Sequence, residues 1–322
     1  MKFRVCAAAL TAACLALPAA AQTPAYPAKP LRIIVGFTPG GVPDIVARVA
    51  AQKLGEAWQQ PVTVENRLGA GSNIAAQAVA LAAPDGYTLL SVSSAHAVAP
   101  AIYPKLPFDP LKDFAGITLA ATGPALVIVA PELNVKSMAD LIVLARAQPG
   151  KLNYSSAGIG SGSHFAVELL RAQTGIDVVH VPYKGIPEAL TETMAGRVQF
   201  FISPYASAIN LVKEGKARAI AVTGTTRMPD LPDLPTVAES GAPGYKWVFW
   251  YGLLAPAKTP KPILDRLNAE IARMLRAPDV KQRFGPLGIE PVTSSGEEFD
   301  RLIAEEVASF TRIARAANIK VE

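Results

Sequence analysis

The chain has 322 residues, half of them hydrophobic, and its 18% charged side chains fall below the usual ~25%. So much apolar material builds a large core, which excludes a disordered tail protein or a disulfide-stapled miniprotein. Thirty-one basic and 26 acidic residues give a net charge of +5, too mild for a nucleic-acid footprint, and no Lys/Arg run is interleaved with aromatics.

Residues 1–21 read as a secretory signal peptide. Lys2 and Arg4 form the basic start, Val5 to Leu17 the apolar run, Pro18 the breaker and Ala19-Ala20-Ala21 the small-residue cleavage site. The apolar run is shorter than the ~20 residues that span a bilayer, so the expected mature protein starts near Gln22, carries +3 and is exported. Thr11, three residues before Cys14, argues against lipidation. Cys6 and Cys14 both fall in the leader, which removes thiol and disulfide chemistry from the mature chain. His96, His164 and His180 are isolated, with no HExxH or CxxC spacing, so no metal and no cofactor are expected.

From Leu31 onward, short β-rich runs alternate with helical periodicity, the pattern of a parallel sheet covered on both faces. Leu31–Phe37 reads as a buried strand. Residues 44–58 read as a helix with Val46, Val49, Ala50, Leu54 and Trp58 on one stripe and Pro43 in its first turn. A strand at Val62–Glu65, a helix over 73–82 and a strand at Thr88–Val92 follow, with Pro84-Asp85-Gly86 as the turn before the last. A second set begins with a strand at Ala125–Val129. It continues with helix 137–147, strand 152–156, helix 163–173, strand 178–181, helix 187–195, strand 198–202, helix 206–213 and strand 217–222. Residues 223–246 form a Pro/Gly/Asp-rich loop, Trp250–Leu254 a strand, and helices over 262–275 and 297–316 close the chain. Two α/β sets with a helical tail predict two lobes, residues 22–124 with 246–322 and residues 125–245. The chain then crosses between them near Thr122–Pro124 and again near Tyr245–Tyr251, which makes a hinged cleft.

Three loops can carry binding chemistry. Phe37-Thr38-Pro39-Gly40-Gly41-Val42-Pro43-Asp44 joins a buried strand to a helix start. Its adjacent glycines let a carboxylate or phosphate approach backbone N–H groups at the positive end of the helix dipole. Asp44 would repel an anion and is expected to cap N–H groups or steady the loop. Tyr154-Ser155-Ser156-Ala157-Gly158-Ile159-Gly160-Ser161-Gly162-Ser163-His164 repeats the arrangement in the second set. It is no dinucleotide fingerprint, because Ser163 takes the third glycine position, and Gly160-Ser161-Gly162 lacks the GxSxG spacing of a nucleophile elbow. For both loops a plain chain-reversing turn is the competing reading. In Val181-Pro182-Tyr183-Lys184-Gly185, Tyr183 can wall a pocket, while Lys184 is expected in solvent. Ser91 to His96, including Ser94, completes the set; His96 reads first as a hydrogen-bonded structural histidine. Trp247, Trp250 and Tyr251 read as packing.

Several of these runs occur together in one family. They include Pro27-Ala28-Lys29-Pro30 with Ile33-Ile34-Val35, Pro39-Gly40-Gly41-x-x-Asp44-x-x-Ala47-Arg48, Val64-Glu65-Asn66-Arg67 and Ala83-Pro84-Asp85-Gly86-Tyr87-Thr88-Leu89-Leu90. Further along come Gly150-Lys151-Leu152-Asn153-Tyr154, the Gly158–His164 loop, Val181–Gly185, Pro235-Thr236-Val237-Ala238-Glu239 and Gly252-Leu253-Leu254-Ala255-Pro256. Their number and order span essentially the whole mature chain, which resembles the Bug receptors, the periplasmic solute-binding proteins of tripartite tricarboxylate transporters. The resemblance implies an α/β, two-lobed Venus-flytrap, the type II periplasmic binding protein fold with two hinge crossings, and no catalysis.

The resemblance further implies a ligand carboxylate held by backbone N–H groups, hydroxyls and water. The expected ligand-binding residues are Phe37, Thr38, Pro39, Gly40, Gly41, Ser94, His96, Ser156, Gly160, Ser161, Ser163 and Tyr183. This chain departs from common family usage at Ala95 and Ala99, where Thr and Asn are usual, and at Gln199 and Ser203, where Asp is frequent; these changes remove polar groups near the expected pocket. The expected partners are a small carboxylate and a membrane permease, with no nucleic acid and a monomeric state. An exported serine hydrolase using Ser161 or Ser163 with His164 or His96 is the competing class, and a sensor acting on a signalling partner is a third.

Overall fold

The computed structural model describes residues 26–103, 105–316 and 319; the leader expected over residues 1–21, with both cysteines, lies outside them. The first set comprises β1 (Leu31–Val35), α1 (Val42–Trp58), β2 (Val62–Asn66), α2 (Asn73–Ala80), β3 (Thr88–Ser93) and α3 (Ala95–Ile102). β1 lies between β2 and β3, parallel to both, and Ile33, Ile34 and Val35 are fully buried, as a strand covered on both faces requires. The stripe read for α1 holds: Val46, Val49, Ala50 and Leu54 are buried. Trp58 at its end is half-buried and packs edge-on against Tyr26.

The second set runs β4 (Phe114–Val129), α4 (Met138–Ala147), β5 (Asn153–Ser156), α5 (Gly162–Thr174), β6 (Val179–Pro182), α6 (Ile186–Met194), β7 (Phe200–Pro204), α7 (Tyr205–Lys213) and β8 (Arg218–Val222). β5 lies between β6 and β7, again parallel to both. The tail contributes β9 (Val248–Pro256), α8 (Lys261–Leu275), α9 (Pro278–Phe284), β10 (Glu290–Pro291) and α10 (Gly296–Ala316).

The sheet is mixed where a parallel one was expected. Its order is β2-β1-β3-β9-β4-β7-β5-β6, with β8 and β10 also on β4, and β9 and β4 run antiparallel to their neighbours. Residues Phe114–Pro124 of β4 pair with Val248–Pro256 of β9, whereas Ala125–Val129 pair with β7 and β8. One strand therefore belongs to both sets, and the α/β architecture is two-lobed around it.

The expected strand at Ala125–Val129 is only the last stretch of β4, and α3 was not foreseen. Gly116 and Gly123-Pro124 interrupt the β pattern, and Pro100 lies inside α3. The glycines here admit the tail helix. A Cβ on Gly116 would come within 2.5 Å of the Gly296 carbonyl oxygen, and one on Gly252 within 2.2 Å of the Phe299 ring. α10 thus lies directly on the β4–β9 ribbon, burying Phe299, Ile303, Phe310 and Ala314.

Candidate functional site

The β1–α1 and β5–α5 loops reach the same cavity of about 1060 Å³. Each ends in a helix start of the same shape: the N-cap residues Gly41 and Ser161 have φ −68° and ψ 157° and 156°. The first N–H groups of a helix have no intrahelical acceptor, and the macrodipole places partial positive charge there. The open donors are Val42 and Asp44 in α1, since Pro43 has no N–H, and Gly162 and Ser163 in α5.

The glycine N–H groups of the first loop are used within it. Gly40 N–H donates to Asp44 Oδ2 at 2.9 Å and Gly41 N–H to the Thr38 carbonyl at 3.1 Å. Asp44, 1% exposed, also accepts from Arg48 at 2.8 and 3.0 Å and from Asn66 Nδ2 at 2.8 Å. Burial pushes this carboxyl up, but the Arg48, Gly40 and Asn66 donors outweigh it and hold the pKa below the ordinary value. Asp44 therefore steadies the loop. The glycines provide access: Gly40 has φ +82° with open space around it.

The second loop is tied from within and from behind. Ser161 Oγ accepts the His164 N–H and stands 3.0 Å from Ser163 Oγ, which accepts the Ala157 N–H. His164 Nδ1 accepts the Gly160 N–H at 3.2 Å, and its Nε2 lies 4.0 Å from Glu168. Glu168 is 1% exposed and is satisfied by the Tyr154 hydroxyl at 2.5 Å and by Arg171. His164 stacks on His180 at 4.0 Å. Burial, reinforced by nearby positive charge, pushes His164 down to about 4, and His180 falls to about 3 for the same first reason.

Of the expected residues, Phe37, Thr38, Pro39, Gly40, Gly41, Ser161, Ser163 and Tyr183 line the cavity. Four do not. Ser94 is buried against Gly162, where a Cβ would come within 3.1 Å of its Oγ. His96 sits between Phe108 and Phe114 with Nε2 3.3 Å from the Pro110 carbonyl, the structural role read for it. Ser156 is fully buried, its Oγ 2.6 Å from His180 Nε2. Gly160, at φ +80°, faces α3, and a Cβ would come within 2.1 Å of Ile102. Lys184 is exposed and also borders the cavity.

Three of the four departures in residue type lie off the wall. Ala99 is buried in α3, Gln199 accepts the Asn153 N–H, and Ser203 is fully buried and bonded to the Pro204 carbonyl; Ala95 alone of the four lines the cavity. The wall also includes residues that sequence reasoning did not select. Leu68 to Ser72, Tyr103, Phe249, and Leu190, Met194 and Leu211 on α6 and α7 are the main ones, and Tyr251, read as packing, joins them. The Gly69-Ala70-Gly71 run was a usable signal for the first group; helix-flank residues such as Leu190 gave none.

No serine–histidine couple lies on the wall among the described residues. The couple that forms, buried Ser156 with half-buried His180, lies off it. Among the described residues no three His, Cys, Asp or Glu side chains group as metal ligands, and no helix is long and apolar enough to cross a membrane.

Comparison with known proteins places this geometry in context. The family model described as tripartite tricarboxylate transporter family receptor matches residues 46–319. Protein BugT of Bordetella pertussis is 33% identical over 310 residues, 96% of this chain and 94% of BugT. Rpa4515 of R. palustris, solved with adipate, superposes with TM-score 0.86 at 34% identity, covering 92% of this chain and 100% of that one. MatC from Rhodopseudomonas palustris with bound malate superposes with TM-score 0.80 at 33% identity, covering 89% and 99%.

Proposed function

The chain belongs to the tripartite tricarboxylate transporter receptor family, and from this premise we propose that it is a non-catalytic periplasmic receptor. It captures a small organic carboxylate between its lobes and hands it to a membrane permease, acting as a monomer. The observation that carries this reading is the meeting of two like-shaped helix starts, α1 and α5, from different halves of the chain on one cavity. One carboxylate can accept from both, and α5 adds the Ser161 and Ser163 hydroxyls. Pro39, Gly40, Gly41, Ser161 and Tyr183 are the proposed ligand contacts, with Phe37, Thr38 and Ser163 beside them. The adipate and malate carried by two related structures support an acid as ligand.

The proposed lobes are residues 22–124 with 246–322, and residues 125–245. Their proposed hinges are Thr122–Pro124 and Tyr245–Tyr251; the change of β4 partners from β9 to β7 and β8 after Pro124 supports the first. Ligand favours the closed form only by the contacts that closure adds. A reading as serine hydrolase is disfavoured, since His164 Nδ1 is occupied by the Gly160 N–H and His96 is held at Pro110.

The test is a thermal-shift screen of ligand-stripped protein against a library of carboxylic acids. At a hundredfold excess over Kd a bound acid adds about 2.7 kcal/mol, which raises Tm by several degrees. The acid should be recovered unchanged. Stabilisation by no acid, or conversion of the acid on long incubation, contradicts the proposal.

A further inference from the structure

We infer that the ligand is a monocarboxylate with an apolar body, aryl or medium-chain alkyl, in preference to a short di- or tricarboxylate; this rests on the receptor reading above. The cavity offers one well-made anion position, where α1 and α5 start. Its remaining walls are mainly apolar, with scattered hydroxyls such as those of Ser72, Ser93 and Ser207. Ile186, Leu190 and Met194 reach it from α6, and Leu211 from α7. Thr191 beside them donates its hydroxyl to the Pro187 carbonyl at 2.8 Å, so that proton is committed.

The start of α6 also borders the cavity but is unsuited to a second carboxylate. Its N-cap Gly185 is extended, φ 172° and ψ 174°, unlike Gly41 and Ser161. Glu188 in the first turn accepts the Lys184 N–H at 3.1 Å, and among the described residues no arginine offsets its charge as Arg48 offsets that of Asp44. From α7 the cavity meets Ser207 and Leu211, one turn apart on the flank of the helix. Among the described residues Lys184 is the only charged side chain on the wall, and it is exposed. A second carboxylate lying against Leu190 and Met194 would give up hydration for few donors in exchange.

Two large apolar side chains at the cavity lie open to solvent: Leu68, 50% exposed, and Ile159, 36% exposed. They stand beside the first and second anion loops respectively, so an apolar body held between the loops covers both. The Tyr103, Tyr183, Phe249 and Tyr251 rings supply further apolar wall. The volume, about 1060 Å³, is at the upper end of small-molecule sites and exceeds what a four-carbon acid fills.

The experiment is calorimetric titration of the full mature chain, stripped by unfolding and refolding, with 4-phenylbutyrate, octanoate, adipate, malate and citrate. Binding of 4-phenylbutyrate or octanoate at least tenfold tighter than adipate is expected. Equal or tighter binding of adipate, malate or citrate overturns the inference and leaves the receptor reading standing. Binding of none of the five overturns both. Met194→Lys, at a half-buried position that tolerates a long side chain, places an ammonium on the α6 wall and should shift preference toward adipate at least fivefold relative to 4-phenylbutyrate. An unchanged ratio in the folded variant overturns the role given to that wall.

Discussion

Gly41 and Ser161 cap their helices with almost superimposable backbone angles, φ −68° in both and ψ 157° and 156°. Two halves of the chain with different loop sequences thus present helix starts of the same shape to one cavity. What differs is how each loop is held in place. The first depends on the Asp44 carboxylate, the second on serine hydroxyls backed by the His164–Glu168 cluster.

Asp44→Ala should therefore damage both binding and folding. It leaves Gly40 N–H, Arg48 and Asn66 without their acceptor, at a position almost closed to solvent. The expected loss is about 3 kcal/mol of unfolding free energy and about tenfold in acid affinity. Denaturant titration and calorimetry read the two; wild-type affinity in the variant would remove Asp44 from the account of the site.

Ser161→Ala removes the acceptor for the His164 N–H and a hydroxyl on the cavity wall. Loss of the cap should cost about 1 kcal/mol, and loss of the ligand contact should weaken acid binding roughly fivefold. Reduced stability with unchanged affinity would confine Ser161 to its capping role.

Gly40→Ala and Gly160→Ala separate backbone strain from crowding. Both positions have left-handed φ, +82° and +80°, but a Cβ at Gly40 meets open space and one at Gly160 meets Ile102 at 2.1 Å. Gly40→Ala should cost about 1 kcal/mol, from the backbone alone. Gly160→Ala adds overpacking against α3 and should cost about 3 kcal/mol. Equal melting temperatures for the two variants would contradict the close approach of this loop to α3.

Acid should destabilise the protein through its histidines. Burial lowers His96 to about 4 from an ordinary 6.5. Below pH 6.5 the unfolded chain takes up a proton that the native state refuses. The stability from His96 is thus complete above pH 6.5 and lost as pH falls toward 4, about 3 kcal/mol in all. His164 and His180 act in the same direction. Glu306 acts oppositely: burial, only partly offset by the Trp250 indole N–H, raises it to about 6. Its native state holds a proton that the unfolded chain releases, so stability falls by about 2 kcal/mol as pH rises from 4.5 through 6. His96→Phe should flatten the acid limb of the stability curve, and Glu306→Gln should raise Tm at pH 8 but not at pH 4. Unfolding curves over pH 4–8 check both.

The alternating elements were legible because each buried stripe is local: Val46, Val49, Ala50 and Leu54 announce α1 without help from the rest of the chain. The first half of β4 was not, because Gly116 is set by α10, a helix nearly 200 residues later that rests on the strand. The anion loops could be read from strand-to-helix junctions rich in glycine and serine. Their hydrogen bonding could not, since Gly40 and Gly41 read as donors to a ligand and prove to be committed to Asp44 and Thr38. Leu190 and Met194 went unnoticed because, on an amphipathic helix, a cavity-facing side chain has the same spacing as one facing the core.

The pairing of β4 with β9 sets Phe114 opposite Pro256 and Pro124 opposite Val248. Neither parallel group is joined to the other until most of the polypeptide has left the ribosome, and ladders between such remote segments form slowly. The newborn chain consequently holds two separate half-sheets until β9 arrives to zip them together.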